Sequence, residues 1–89
     1  MKRTRVRVYG DVQGVFFRYT TKKTALKLGL KGWCQNEGDG SVQIVIEGGN
    51  DKVDQFVKWA EKGPVMAKVE KIEINEEKYE NIESEFKVR

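Results

Sequence analysis

The sequence contains no histidine, one cysteine (Cys34) and one proline (Pro64). Each scarcity removes a class of function. Without histidine the commonest general base is missing, and the histidine-dependent nucleophile pairs and triads are excluded. A single cysteine forms neither an intramolecular disulfide nor a multi-cysteine metal site, and the Cys-x-x-Cys pair of a heavy-metal carrier is absent, so the fold rests on packing alone. No apolar run approaches the roughly 20 residues that span a bilayer, and the basic start Met1 to Arg7 leads into alternation instead of a signal-peptide core. These absences predict a soluble, cytoplasmic protein without a Cys/His zinc site. If it is an enzyme, its reaction needs little proton transfer from the protein.

The 89 residues are 38% hydrophobic and 35% charged, with two Trp and four Phe to build a core. That is the composition and length of one globular domain, expected to span residues 1–89. The net charge of +3 is unevenly spread: residues 1–45 carry nine basic and three acidic side chains, residues 46–89 eight and eleven. An anionic partner near the first half is one reading, and a solubilising surface is the other.

Thr4, Val6 and Val8 alternate with Arg3, Arg5, Arg7 and Tyr9, the period of a half-buried strand ending at Gly10. Between Thr20 and Leu28 the period becomes helical, with Thr21, Ala25 and Leu28 on one face, and Gly29-Leu30 forms a Schellman-type stop. Residues 31–36 and 41–47 predict a hairpin around Glu37-Gly38-Asp39-Gly40. Gly48-Gly49-Asn50-Asp51 supplies a turn and a helix N-cap, and Val53, Phe56, Val57 and Ala60 follow the helical template as far as Gly63-Pro64. Ala67 and Val69 share one parity while Ile72 and Ile74 share the other, so a strand over 66–75 requires a bulge near Glu70-Lys71. Ile82, Phe86 and Val88 are expected on one face of a last strand. The order strand, helix, strand, strand, helix, strand predicts an α+β, ferredoxin-like βαββαβ sandwich. Its sheet is mainly antiparallel, both helices lie on one face, and a short strand is added at the C-terminal end.

Two segments carry residues suited to chemistry. Gly10-Asp11-Val12-Gln13-Gly14-Val15-Phe16-Phe17-Arg18 is a two-glycine loop between a strand and a helix, where backbone N–H groups and the helix N-terminus bind phosphate and an arginine in the first turn clamps it. The spacing is neither that of a dinucleotide fingerprint nor that of a P-loop. An ordinary strand-to-helix turn with a solvated arginine is the alternative. In the second segment Asn36 ends a strand just before a tight turn, where asparagine is either a turn former or, by accepting and donating at once, a holder of water.

At these segments the sequence resembles the acylphosphatase family. Its first signature, Gly-x-Val-Gln-Gly-Val-x-Phe-Arg, is met by Gly10, Val12, Gln13, Gly14, Val15, Phe17 and Arg18. Its second, Gly-aromatic-x-x-Asn followed by Gly-x-Val, is met by Gly32, Trp33, Asn36, Gly40 and Val42. Leu28-Gly29-Leu30, Gly63-Pro64 with Ala67 and Val69, and Phe86 extend the likeness over nearly the whole chain. The resemblance implies a hydrolase, without cofactor or metal, that cleaves the carboxyl–phosphate bond of small acyl phosphates, and a monomer is the separate expectation for a chain of this size. It assigns phosphate binding to the loop Asp11, Val12, Gln13, Gly14, Val15 and Phe16 together with Arg18, and orientation of the attacking water to Asn36. The missing histidine agrees with this chemistry, because a departing carboxylate, whose conjugate acid has a pKa of about 4 to 5, needs no general acid. The sequence departs from the family pattern at Asp11, a carboxylate inside the expected anion cradle, at Cys34 and at Val65.

Two rival readings use the same fold. Arg3, Arg5, Arg7 and Tyr9 on the open sheet face form a basic stripe with an aromatic, which suits single-stranded RNA, although the aromatic ribonucleoprotein motif is missing and the second half is acidic. A non-catalytic phosphate-binding module, like the N-terminal region of hydrogenase-maturation proteins, is the other.

Overall fold

Seven elements follow one another along the chain: β1 (Lys2–Asp11), α1 (Phe17–Lys27), β2 (Lys31–Asn36), β3 (Val42–Gly48), α2 (Asn50–Lys62), β4 (Lys68–Glu77) and β5 (Phe86–Val88). The computed structural model describes all residues 1–89. The strands form one sheet in the order β4-β1-β3-β2-β5. Every neighbouring pair is antiparallel except β2 with β5, which run parallel. This is the expected ferredoxin-like sandwich with its additional edge strand. Helix α1 covers β2 and β5, and α2 covers β1, β3 and β4.

Strand parity decides what each face carries. Thr4, Val6 and Val8 of β1, Cys34 of β2 and Val42, Ile44 and Ile46 of β3 are buried on the side that meets Phe17, Thr21 and Ala25 of α1 and Val53, Phe56 and Ala60 of α2. The odd residues of β1 point the other way and are matched by carboxylates. Arg3 bonds Glu47, Glu77 and Glu83 at 3.0 to 3.2 Å, Arg5 bonds Glu77 at 2.6 Å and Arg7 bonds Asp39 at 3.1 Å. Tyr9 donates its hydroxyl to Glu73, and the guanidinium groups of Arg5 and Arg89 lie 5.6 and 4.1 Å from the centre of the Trp33 ring. The stripe on which an RNA reading rests is therefore neutralised within the protein.

The bulge expected near Glu70 is present. Tyr9 opposes Lys71 and Gly10 opposes Val69, leaving Glu70 without a partner across the ladder. Gly10 belongs there because a Cβ on it would lie 2.1 Å from the Lys68 carbonyl oxygen, closer than any side chain tolerates. Helix α1 stops in a true Schellman pair, Leu30 N–H to Ala25 C=O and Gly29 N–H to Leu26 C=O. It begins at Phe17, three residues before the periodicity starts, because the buried Phe17 ring packs 6.1 Å from Trp59 and fixes the first turn. Helix α2 starts from Gly49 without a side-chain cap. Ile82 departs from the expectation, since it lies outside β5 and is exposed while Phe86 alone enters the core. The cause is anchoring on the open face: Glu83 donates its N–H to Glu47 and accepts from Arg3, which turns its neighbour outward.

Candidate active site

A pocket of about 470 Å³ opens where β1 ends, α1 begins and the β2–β3 hairpin turns. Val12, Gly14 and Phe16 of the connecting loop line one side, Arg18, Tyr19 and Lys22 of α1 a second, and Asn36 and Val88 the strand ends. The two residues singled out in separate motifs thus meet in one cavity. Arg18 reaches it because Phe17 beside it is sunk in the core, which leaves residues 16 and 18 directed outward. Asn36 reaches it by parity: it follows Gly32 and Cys34 on the helix-facing side of β2 and is the first of that row to lie beyond the core, where it is exposed.

The loop is built to leave donors free. Gly14 takes φ +76, with open space where a Cβ would stand, and Phe16 takes φ +59 at the helix N-cap. A left-handed conformation costs a non-glycine residue about 1 to 2 kcal/mol, a strain held in place by the surrounding structure. Among the hydrogen bonds that link backbone groups outside the regular elements, none is donated by residues 12 to 16. Helix α1 has no side-chain cap and no acidic residue in its first turn, so its first N–H groups and the positive end of its dipole also face the pocket unpaired. Such an arrangement attracts an anion.

Three of the six loop residues predicted to bind phosphate do not line the cavity. Asp11 ends β1, exposed and opposite Lys68, so its carboxylate stands apart from the cavity. Gln13 is turned back on the hairpin, where its amide donates to the carbonyls of Glu37 (2.8 Å) and Ser41 (2.9 Å). Val15 packs against the core. Gln13 thereby ties the loop to the segment that carries Asn36.

None of the nine lining residues is acidic. The nearby carboxylate of Asp39 is committed elsewhere: hydrogen bonds from the Ser41 hydroxyl and amide, and the Arg7 guanidinium, hold it below the usual carboxylate range. Burial pushes the Cys34 thiol up to about 12, so no thiolate forms near neutrality. The chemistry available is therefore anion binding, charge stabilisation and water orientation.

Sequence reasoning missed Phe17, Tyr19, Lys22 and Val88 in the cavity wall. For Lys22 a signal existed, because residues 18 and 22 stand four apart on one helix. It also missed the contact between Arg18 Nη1 and the main-chain oxygen of Arg89, at 2.6 Å, which no motif announces.

A ferredoxin-like sandwich with uncommitted loop donors at its first strand-to-helix turn, and an arginine and an asparagine converging on them, defines a small α+β domain with an anion-attracting pocket. The family model for acylphosphatases matches residues 4–88. An acylphosphatase of Thermococcus kodakarensis is 46% identical over 90 residues, covering 99% of this chain and 98% of that one. The crystal structure of the acylphosphatase from Bacillus subtilis superposes with a TM-score of 0.95 at 35% identity, over 100% of this chain and 99% of that one. The same fold also forms a small part of a far larger protein, since the crystal structure of Thermococcus kodakarensis HypF matches with a TM-score of 0.85 and 30% identity over only 12% of its length. The chain belongs to the acylphosphatase family and is an enzyme of that class. No helix is long and apolar enough to cross a membrane.

Proposed function

We propose that this pocket hydrolyses the carboxyl–phosphate bond of acyl phosphates through the loop amides, Arg18 and Asn36. The observation that carries the reading is the convergence of Arg18 and Asn36 on one cavity whose loop donors are uncommitted. The phosphate sits on the N–H groups of the lining loop residues Val12, Gly14 and Phe16 and on the N-terminus of α1. Arg18 closes over it as a planar, permanently charged fork. The Asn36 amide holds a water in line with the phosphorus–oxygen bond to be broken. As water attacks phosphorus, that bond's electron pair leaves with the carboxylate, and positioning and charge stabilisation supply the acceleration. The proton lost by the water passes to a phosphate oxygen of the substrate itself, giving dihydrogen phosphate and the free carboxylate. The absence of any acidic residue from the cavity wall supports this last step.

The test is hydrolysis of benzoyl phosphate by the purified protein in the presence of a chelator. Arg18→Ala is expected to lower kcat/KM by about 100-fold or more, the loss that follows removal of a donor to developing charge, and to weaken inhibition by inorganic phosphate. Asn36→Ala is expected to lower kcat while leaving phosphate inhibition unchanged, because it touches water and not phosphate. A folded wild type inactive across pH, temperature and acyl group refutes the proposal.

A further inference from the structure

The cavity is larger than a phosphate and a two-carbon acyl group require, at about 470 Å³, within the range that takes whole small-molecule ligands. Its remaining wall has a definite chemistry. Lys22 stands one helical turn beyond Arg18, on the order of 6 Å along the axis, and is half-buried in the wall. It makes no ion pair, whereas Lys2, Arg3, Arg5 and Arg7 are each held by a carboxylate. A partly desolvated ammonium without a counter-ion is unfavourable, and two cations at this helical spacing repel. Beside it, Phe16 and Tyr19 are 79% and 61% exposed, aromatic surface against which a ligand's apolar body can pack. Lys23 differs, for it is exposed, stacks on Tyr19 at 5.6 Å and does not line the cavity.

We propose that Lys22, with Phe16 and Tyr19, forms an acyl-group subsite that favours acyl phosphates whose acyl portion carries an anionic group of its own. The inference rests on the acyl-phosphate reading above and assigns it a substrate class: the phosphate end lies on the loop and Arg18, and the distal anion pairs with Lys22.

The experiment compares 3- and 4-carboxybenzoyl phosphate with their uncharged carbamoyl isosteres, using wild type, Lys22→Gln, Lys22→Glu and Lys23→Gln. All are checked for native circular dichroism. Wild type is expected to favour the carboxylates by about fivefold in kcat/KM, the scale of one partly exposed charge pair, with the difference carried by KM and shrinking as salt is raised. In Lys22→Gln that ratio falls to about one, and in Lys22→Glu below one, while Lys23→Gln keeps it. A wild-type ratio of one for both isomers overturns the subsite. So does a Lys22→Gln variant that loses equally on charged and uncharged substrates, since Lys22 then serves the shared phosphate, and so does an equal loss of the ratio in Lys23→Gln, since the preference then belongs to the general field of α1. These outcomes leave the parent reading intact. Failure of wild type to hydrolyse any of the four substrates overturns both.

Discussion

Gln13 offers the sharpest separation of folding from positioning. Its side chain bridges the cradle loop to the hairpin through the carbonyls of Glu37 and Ser41. Each carbonyl keeps a second partner, since Glu37 C=O also accepts from Gly40 and Ser41 C=O from Glu37. Gln13→Met preserves length and rough volume but removes both donations without orphaning either acceptor. Two neutral hydrogen bonds at about 1 kcal/mol each set the upper scale, so the loss of stability should be about 1 to 2 kcal/mol. In a domain of this size that lowers Tm by roughly 5 to 15 °C. The same change frees Gly14 and Phe16 to move relative to Asn36. A displacement near 1 Å between reacting groups costs on the order of 100-fold in rate, and a partial displacement should cost kcat about tenfold on benzoyl phosphate. The measurements are a thermal melt and steady-state kinetics at a temperature well below the variant's Tm. A variant that loses the expected stability but keeps wild-type kcat would refute the positioning argument and leave Gln13 as a staple only.

Arg3 and Glu47 form a buried pair in which Glu47 is 2% and Arg3 7% exposed. Arg3→Met strands the Glu47 charge and should cost about 3 to 5 kcal/mol, while Arg3→Met with Glu47→Leu should recover much of that loss; urea midpoints of the two variants check the difference. Glu77 is held below its ordinary 4.5 by hydrogen bonds from Arg5 and then Arg3. A depressed folded pKa adds stability that is present above about pH 4.5 and vanishes as pH falls through the folded value. Glu77→Gln should therefore cost about 1 kcal/mol or less at pH 7, after screening of this partly exposed group, and nothing near pH 2. Equal losses at both pH values would contradict the assignment. The Thr21 hydroxyl is buried without a partner, so Thr21→Val should raise stability by about 1 kcal/mol, and a lower Tm would show that the hydroxyl has a partner after all.

Local pattern made much of the fold readable. Alternation gave β1 its two faces, the parity change gave β4 its bulge, and Gly29-Leu30 gave α1 its stop. The candidate site was readable to the extent that it lies in contiguous motifs, which is why the sequence singles out Arg18 and Asn36, the two residues that meet in the cavity. What escaped depends on residues distant in the chain or on backbone angles. Nothing in a phenylalanine marks the left-handed φ of Phe16, and the hydrogen bond from Arg18 to Arg89 joins residues that only the β2–β5 pairing brings together. Ile82 fits the period of a strand, yet it is displaced by the anchors on Glu83, which no local pattern reveals.

The charge asymmetry between the halves of the chain resolves in the same way. Alternation alone made Arg3, Arg5 and Arg7 a basic stripe open to an anionic polymer. The pairing of β1 with β3 and β4, and the course of the segment before β5, set acidic side chains of the second half against these arginines, through Glu47, Glu77 and Glu83. Much of the excess negative charge after residue 45 is thus consumed on the open face. On α1, which has four basic residues and no acidic one, none is paired with an Asp or Glu side chain. Of these four, Arg18 and Lys22 line the cavity. The attraction for anions that the sequence ascribes loosely to its first half is concentrated at the mouth of the pocket, where a small doubly anionic ligand, and not an extended polymer, can meet both charges.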